Sequence, residues 1–106
     1  MAEYRAKRDP NRCPTHPGEL LAEIIPATGK SKTDIATLLG ISRQHLYDIL
    51  AERKPVSPSV AVRLGKLFGD GPGVWVRMQG AHDTWRAERA LAGEIKKIPR
   101  LKAAAA

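Results

Sequence analysis

Lys32-Thr33-Asp34-Ile35-Ala36-Thr37-Leu38-Leu39-Gly40-Ile41-Ser42-Arg43-Gln44-His45-Leu46-Tyr47-Asp48-Ile49-Leu50-Ala51 carries the strongest fold instruction in the chain. Ser31 just before it and Asp34 have the form of a capping box, the shorter Asp standing in for Glu, ahead of the apolar set Ile35, Ala36 and Leu39. Gly40 interrupts that helix, Ile41 supplies an apolar anchor, and Ser42 caps a second helix with Leu46, Ile49 and Leu50 on its inner face. A steep crossing of two helices needs a small residue in the first, a flexible turn, and apolar anchors in the second. Ala36, Gly40, Leu46 and Ile49 meet those needs in that order.

Upstream, Pro17 suits a first helical position, where its missing N–H costs nothing. His16 is then the N-cap, and Glu19 is placed to reach back to its backbone. Leu20, Leu21 and Ile24 share one side of this helix, which should end at Gly29. Downstream, Ser57-Pro58 repeats the cap-then-proline signature before the amphipathic set Val60, Ala61, Leu64, Leu67 and Phe68. After Gly69-Asp70-Gly71-Pro72, a fifth helix carries Trp75, Met78, His82 and Trp85 along one side, and its pattern can continue as far as Ile95. No stretch alternates like a strand and no repeat is evident. The expected fold is all-α with five helices. Residues 1–15 are expected as a flexible N-terminal arm, 16–85 as the helical domain, and 86–106 as a helix extension and basic tail.

At 106 residues there is room for one core and no second catalytic domain. Only 5% of residues are aromatic, so the core must be built from Leu, Ile, Val and Ala. The net charge of +7 suits a polyanionic partner, nucleic acid or an anionic membrane surface. Charges interrupt every apolar run and the polar N-terminus lacks a signal core, so a cytoplasmic location and no membrane insertion are expected. Cys13, the single cysteine, excludes an intrachain disulfide.

With Leu46, Ile49 and Leu50 turned inward, the other side of their helix presents Arg43, Gln44, Tyr47 and Ala51. Arg donates two hydrogen bonds to guanine, and Gln can both donate to and accept from adenine, each pairing discriminating by about 1–3 kcal/mol. The unit from Lys32 to Ala51 therefore reads as a DNA-binding helix-turn-helix, with Arg43 and Gln44 as its base-reading residues. Tyr47 is a third candidate, meeting a phosphate or a thymine methyl, or else filling a surface groove. Lys32, Thr33, Ser42, Arg53 and Lys54 fall where a phosphate backbone would pass, and Asp48 should point away from it. A plain helical hairpin would carry the same caps but needs no such exposed face.

The segments His16-Pro17-Gly18-Glu19-Leu20-Leu21, Leu39-Gly40-Ile41-Ser42-Arg43-Gln44, Ala61-Val62-Arg63-Leu64-Gly65-Lys66-Leu67-Phe68-Gly69 and Val74-Trp75-Val76-Arg77-Met78-Gln79 resemble the HigA-type antitoxins of the Cro/C1-like helix-turn-helix superfamily. The resemblance covers about residues 16–90. It implies a five-helix domain, a homodimer repressing its own operon, and direct binding of a toxin, usually a small mRNA-cleaving ribonuclease. Two loops depart from the family pattern. Glu52-Arg53 replaces the usual Asn-Gly after the recognition helix, and Gly71-Pro72-Gly73-Val74-Trp75 replaces a polar-Pro-Glu-Phe-Trp run.

Other chemistries find little support. Cys13 with His16, or His82 with Asp83, falls short of a four-ligand zinc pattern, so no metal or cofactor is expected. No nucleophile, paired-carboxylate or phosphate-loop motif indicates an enzyme, and His45 reads as a recognition-helix residue. The stripe Trp75, Met78, His82 and Trp85 is assigned to a dimer interface, since a small domain can hardly bury two Trp on one terminal helix. A dimer would read a palindromic operator. Arg86, Arg89, Lys96, Lys97, Arg100 and Lys102, with Ile95, Ile98 and Leu101, read as a nonspecific DNA contact, a toxin-docking segment or a solvated tail. A repressor without a toxin, and a toxin-binding protein with weak DNA binding, are the competing functions.

Overall fold

A computed structural model describes residues 11–102, and these are wholly helical with intervening turns. The helices are α1 (Pro17–Ala27), α2 (Lys32–Leu39), α3 (Arg43–Leu50), α4 (Pro58–Phe68), α5 (Gly73–Ala90) and α6 (Ala92–Ile95). The first five match those expected, and the single turn of α6 is the continuation toward Ile95. The expected arm lies outside the described residues for 1–10, and the tail for 103–106. Among the rest, Cys13 and Pro14 are half-buried against α5.

Four helix starts form as the sequence dictates. The side chains of Ser31, Ser42 and Ser57 accept from the N–H three residues on, in Asp34, His45 and Val60. At α1 the cap is His16, whose Nδ1 accepts from the Gly18 N–H at 2.9 Å. Glu19 contributes its backbone, its N–H bonding the His16 carbonyl at 3.0 Å, while its side chain stays exposed.

One core holds the domain together: Leu21 and Ile25 of α1, Ile35, Ala36 and Leu39 of α2, Leu46 and Ile49 of α3, Val60, Ala61 and Leu64 of α4, and Trp75 of α5. On α1 the buried pair is Leu21 and Ile25, with Leu20 and Ile24 only partly covered. That face is set by Gly18, where an added Cβ would lie 2.0 Å from the Ile49 carbonyl oxygen. Only a glycine allows α1 to seat on the end of α3.

Trp75 is 0% exposed, packs beside Phe68 and donates from Nε1 to Asp70 Oδ1 at 3.3 Å. His82, 8% exposed, donates from Nδ1 to the Pro14 carbonyl at 2.8 Å and meets the His16 ring edge-on. These two members of the stripe assigned to a dimer interface therefore belong to the protomer's own core, and Met78 and Trp85 beside them are half-buried. The terminal helix buries them without a partner because α4 covers its first turns and residues 13–16 cover its middle.

Two polar side chains tie the α2–α3 unit to this frame. Arg63 of α4 donates to the Leu39 carbonyl at 2.8 Å, closing the end of α2 above Gly40. Buried Gln79 of α5 accepts the Val56 N–H at 2.7 Å and donates to Asp83 at 3.0 Å, holding the loop that follows α3.

Candidate nucleic-acid interface

The α2–α3 turn forms around Gly40, whose φ of 74° closes α2 in the left-handed conformation. The Ile41 N–H bonds back to the Ala36 carbonyl at 3.1 Å, so the chain reverses tightly and α3 is presented outward. Leu46 and Ile49 are fully buried beneath it. Arg43, Gln44, Tyr47 and Ala51 are all exposed on its outer side. The sequence-derived reading face is thus one continuous surface.

Lys32, at the start of α2, lies with its ammonium 5.8 Å from the centre of the Tyr47 ring. Tyr47 is 40% exposed and, with Ala22, Pro26, Leu50 and Ala51, walls an open groove between α1 and α3. Lys32 and Tyr47 therefore form one edge of this exposed surface, joined by a cation–π contact. Ser42 is exposed and spends its oxygen lone pair on the His45 N–H, which leaves its hydroxyl proton free to donate. Thr33 is exposed beside Lys32.

The far edge is organised by Asp48, which the sequence placed only as pointing away from DNA. Its carboxylate accepts from Gln44 Nε2 at 2.9 Å and from Arg53 Nη2 at 3.0 Å, with Lys54 Nζ at 3.8 Å. The hydrogen bonds from Gln44, then Arg53, hold its carboxyl below the usual carboxylate range. Three of the predicted DNA residues are thereby gathered on one acid. Its signal was present in the spacing: Gln44 and Asp48 stand four apart on a helix.

These contacts lie at the surface, where solvent screens them. Arg53 and Lys54 hold their place on a turn in which Glu52, at φ 62°, occupies the left-handed region. That is where the family pattern has Asn-Gly, residues that tolerate such a backbone at little cost. The departure keeps the turn and leaves the reading face intact.

His16 sits beneath the face, under the Gly18–Ile49 contact. Burial, and to a lesser degree the neighbouring His82 and Arg86, lower its pKa below the ordinary 6.5, against the opposing pull of Glu52 and Asp83. A neutral ring is also what its cap requires, since Nδ1 must keep a lone pair for the Gly18 N–H. Among the described residues no group of three His, Cys, Asp or Glu could hold a metal ion. None of their helices is long and apolar enough to cross a membrane.

A capped helix pair joined by a left-handed glycine, seated on a helical frame and exposing Arg, Gln and Tyr from its second member, defines a helix-turn-helix DNA-binding protein. Antitoxin GraA, solved in complex with its operator, superposes with a TM-score of 0.79 at 35% identity over 91% of this chain and 98% of that one. The chain belongs to the family of helix-turn-helix antitoxins that includes HigA and GraA. Pseudomonas aeruginosa antitoxin HigA, solved with the higBA promoter, gives a TM-score of 0.77 at 30% identity over 84% of this chain and 99% of that one. Virulence-associated protein I of Dichelobacter nodosus is 33% identical over 75 residues, 70% of this chain and 69% of its own length. No family model matches the chain.

Proposed function

We propose that this antitoxin represses its own operon by binding a palindromic operator as a homodimer, and neutralises a cognate mRNA-cleaving toxin by direct contact. Arg43 and Gln44 read bases, Tyr47 completes the face, and Lys32, Thr33, Ser42, Arg53 and Lys54 hold the flanking phosphates. The observation that carries this reading is the outer side of α3, where Arg43, Gln44 and Tyr47 are exposed while Leu46 and Ile49 on the inner side are fully buried. The operator and promoter complexes of GraA and HigA support it. One α3 offers few base contacts, so two copies on half-sites about one helical turn apart are needed for tight recognition.

The test is binding of the wild type and of the Arg43→Ala/Gln44→Ala double variant to the DNA upstream of the gene and to a scrambled duplex, at two salt concentrations. Preference for the upstream DNA, lost in the variant, is expected. Equal binding to both duplexes would move the function from DNA to protein partners.

A further inference from the structure

Of the three base-reading candidates, Gln44 is the one whose side chain is hydrogen-bonded among the described residues. Its Nε2 donates to Asp48 Oδ1 at 2.9 Å across one turn of α3. An ionised carboxylate only accepts, so it must face the nitrogen end of the amide, and that chemistry settles which way round the Gln44 amide lies. Among the described residues nothing bonds its Oε1. An amide nitrogen carries two protons, so one serves Asp48 and the other, with Oε1, remains for a partner.

Asp48 is itself held in place. Arg53 donates to the same Oδ1 from Nε at 3.2 Å and from Nη2 at 3.0 Å, and its backbone N–H bonds the Asp48 carbonyl at 2.8 Å. The side chain of Asp48 is 13% exposed against 62% for that of Arg53, so the carboxylate is largely covered while the cation beside it stays open.

We infer that Asp48 is a positioning residue that makes Gln44 select adenine over guanine. With Nε2 turned to Asp48, Gln44 presents one acceptor and one donor outward. In the major groove adenine alone offers a donor, N6, beside an acceptor, N7. Guanine offers two acceptors, and its O6 would meet the Gln44 oxygen lone pair to lone pair. Released from Asp48, the amide can turn end for end and donate to guanine as readily. This selection rests on the proposed operator reading, in which α3 faces the major groove. In that reading Arg53 and Lys54 hold phosphates, and they also offset the charge of Asp48, so a carboxylate can stand close to DNA and base reading is tied to the flanking backbone contact.

The test is competition binding of the full chain to its upstream operator, with each base pair of both half-sites changed in turn between A·T and G·C, for the wild type, Gln44→Ala, Asp48→Ala and Asp48→Asn. At one half-site position the native base should be adenine, and guanine there should weaken the wild type by about tenfold or more. Gln44→Ala should make no distinction at that position. Asp48→Ala should reduce the discrimination there to about threefold or less while keeping the preferences at the other positions. Asp48→Asn retains a side-chain oxygen that can accept from Nε2, so it should discriminate as the wild type does. Unchanged discrimination in Asp48→Ala, at a position that Gln44→Ala has levelled, would overturn the assignment and leave the base reading by Gln44 standing. So would a Gln44-dependent position whose native base is guanine. Loss of preference at every position in Asp48→Ala would also overturn it, making Asp48 a support of the turn after α3 rather than of one amide. If Gln44→Ala levels no position, the base reading by Gln44 falls, and the positioning role falls with it.

Discussion

The two eight-residue helices α2 and α3 each begin on a serine cap and bury a short set of apolar side chains, and a left-handed glycine joins them. The eighteen-residue α5 begins on Pro72 with no capping side chain and carries apolar residues on two sides. In the first region every local rule points to one arrangement, because caps, turn and buried face leave a single way to fold. In the second, both the Trp75–His82 side and the Val76–Leu91 side satisfy helical periodicity, and only the tertiary packing decides which goes inside. The difference teaches that helical period identifies candidate faces, while the neighbours available to cover them determine the choice.

The largest expected effect lies at the joint between the regions' common frame and the reading helix. Gly18→Val would drive a side chain into the Ile49 carbonyl and is expected to destabilise the fold by about 3 kcal/mol, read as a fall in the urea midpoint. Gly80→Ala provides the contrast. An added Cβ there meets nothing within 4 Å, so the change should stabilise the fold by roughly 0.5–1 kcal/mol through helix propensity, read in the same urea titration. Loss of stability there would mean that Gly80 is required within the protomer, and the contrast between the two glycines would collapse.

A smaller effect is expected at Asp48, which restrains Gln44, Arg53 and Lys54. Asp48→Asn should raise affinity for scrambled DNA by about twofold to fivefold and steepen its salt dependence, since it removes one negative charge and releases two cations. Unchanged salt dependence would show that those cations never reach the phosphates. The smallest effect concerns His16. Its folded pKa lies below the ordinary 6.5, so the unfolded chain binds more protons in that range. Its contribution to stability is full above about pH 6.5 and is lost as pH falls below it. His16→Asn keeps a capping acceptor without a titrating ring, and its thermal midpoint should fall less than the wild type's between about pH 7.5 and 5.5.

Much of this was legible in the sequence, and its limits have physical causes. The serine caps, the Gly40 turn and the buried Leu46 and Ile49 were readable because each is a local rule acting over three or four residues. The exposed face of Arg43, Gln44 and Tyr47 followed from them. What escaped was long-range. The seat of Gly18 on Ile49, the Gln79 bond to Val56 and the burial of His82 under Pro14 each join residues far apart in the chain. The dimer assignment to Trp75 and His82 failed for the same reason, since nothing local in Cys13-Pro14 says that it will cover α5. Asp48 was an intermediate case, its partner four residues away and its role masked by its charge.

The central claim is that Arg43 reads a base from α3, and a double-mutant cycle tests it most directly. Operator affinity would be measured for wild type and Arg43→Ala on the native operator and on one with a single half-site guanine replaced by adenine, scanning the guanines in turn. The account predicts that at one guanine the two changes are strongly non-additive. Arg43→Ala should cost about 1–3 kcal/mol on the native site and almost nothing once that guanine is gone. Losses that simply add at every guanine would contradict it, reducing Arg43 to a contact with the DNA backbone.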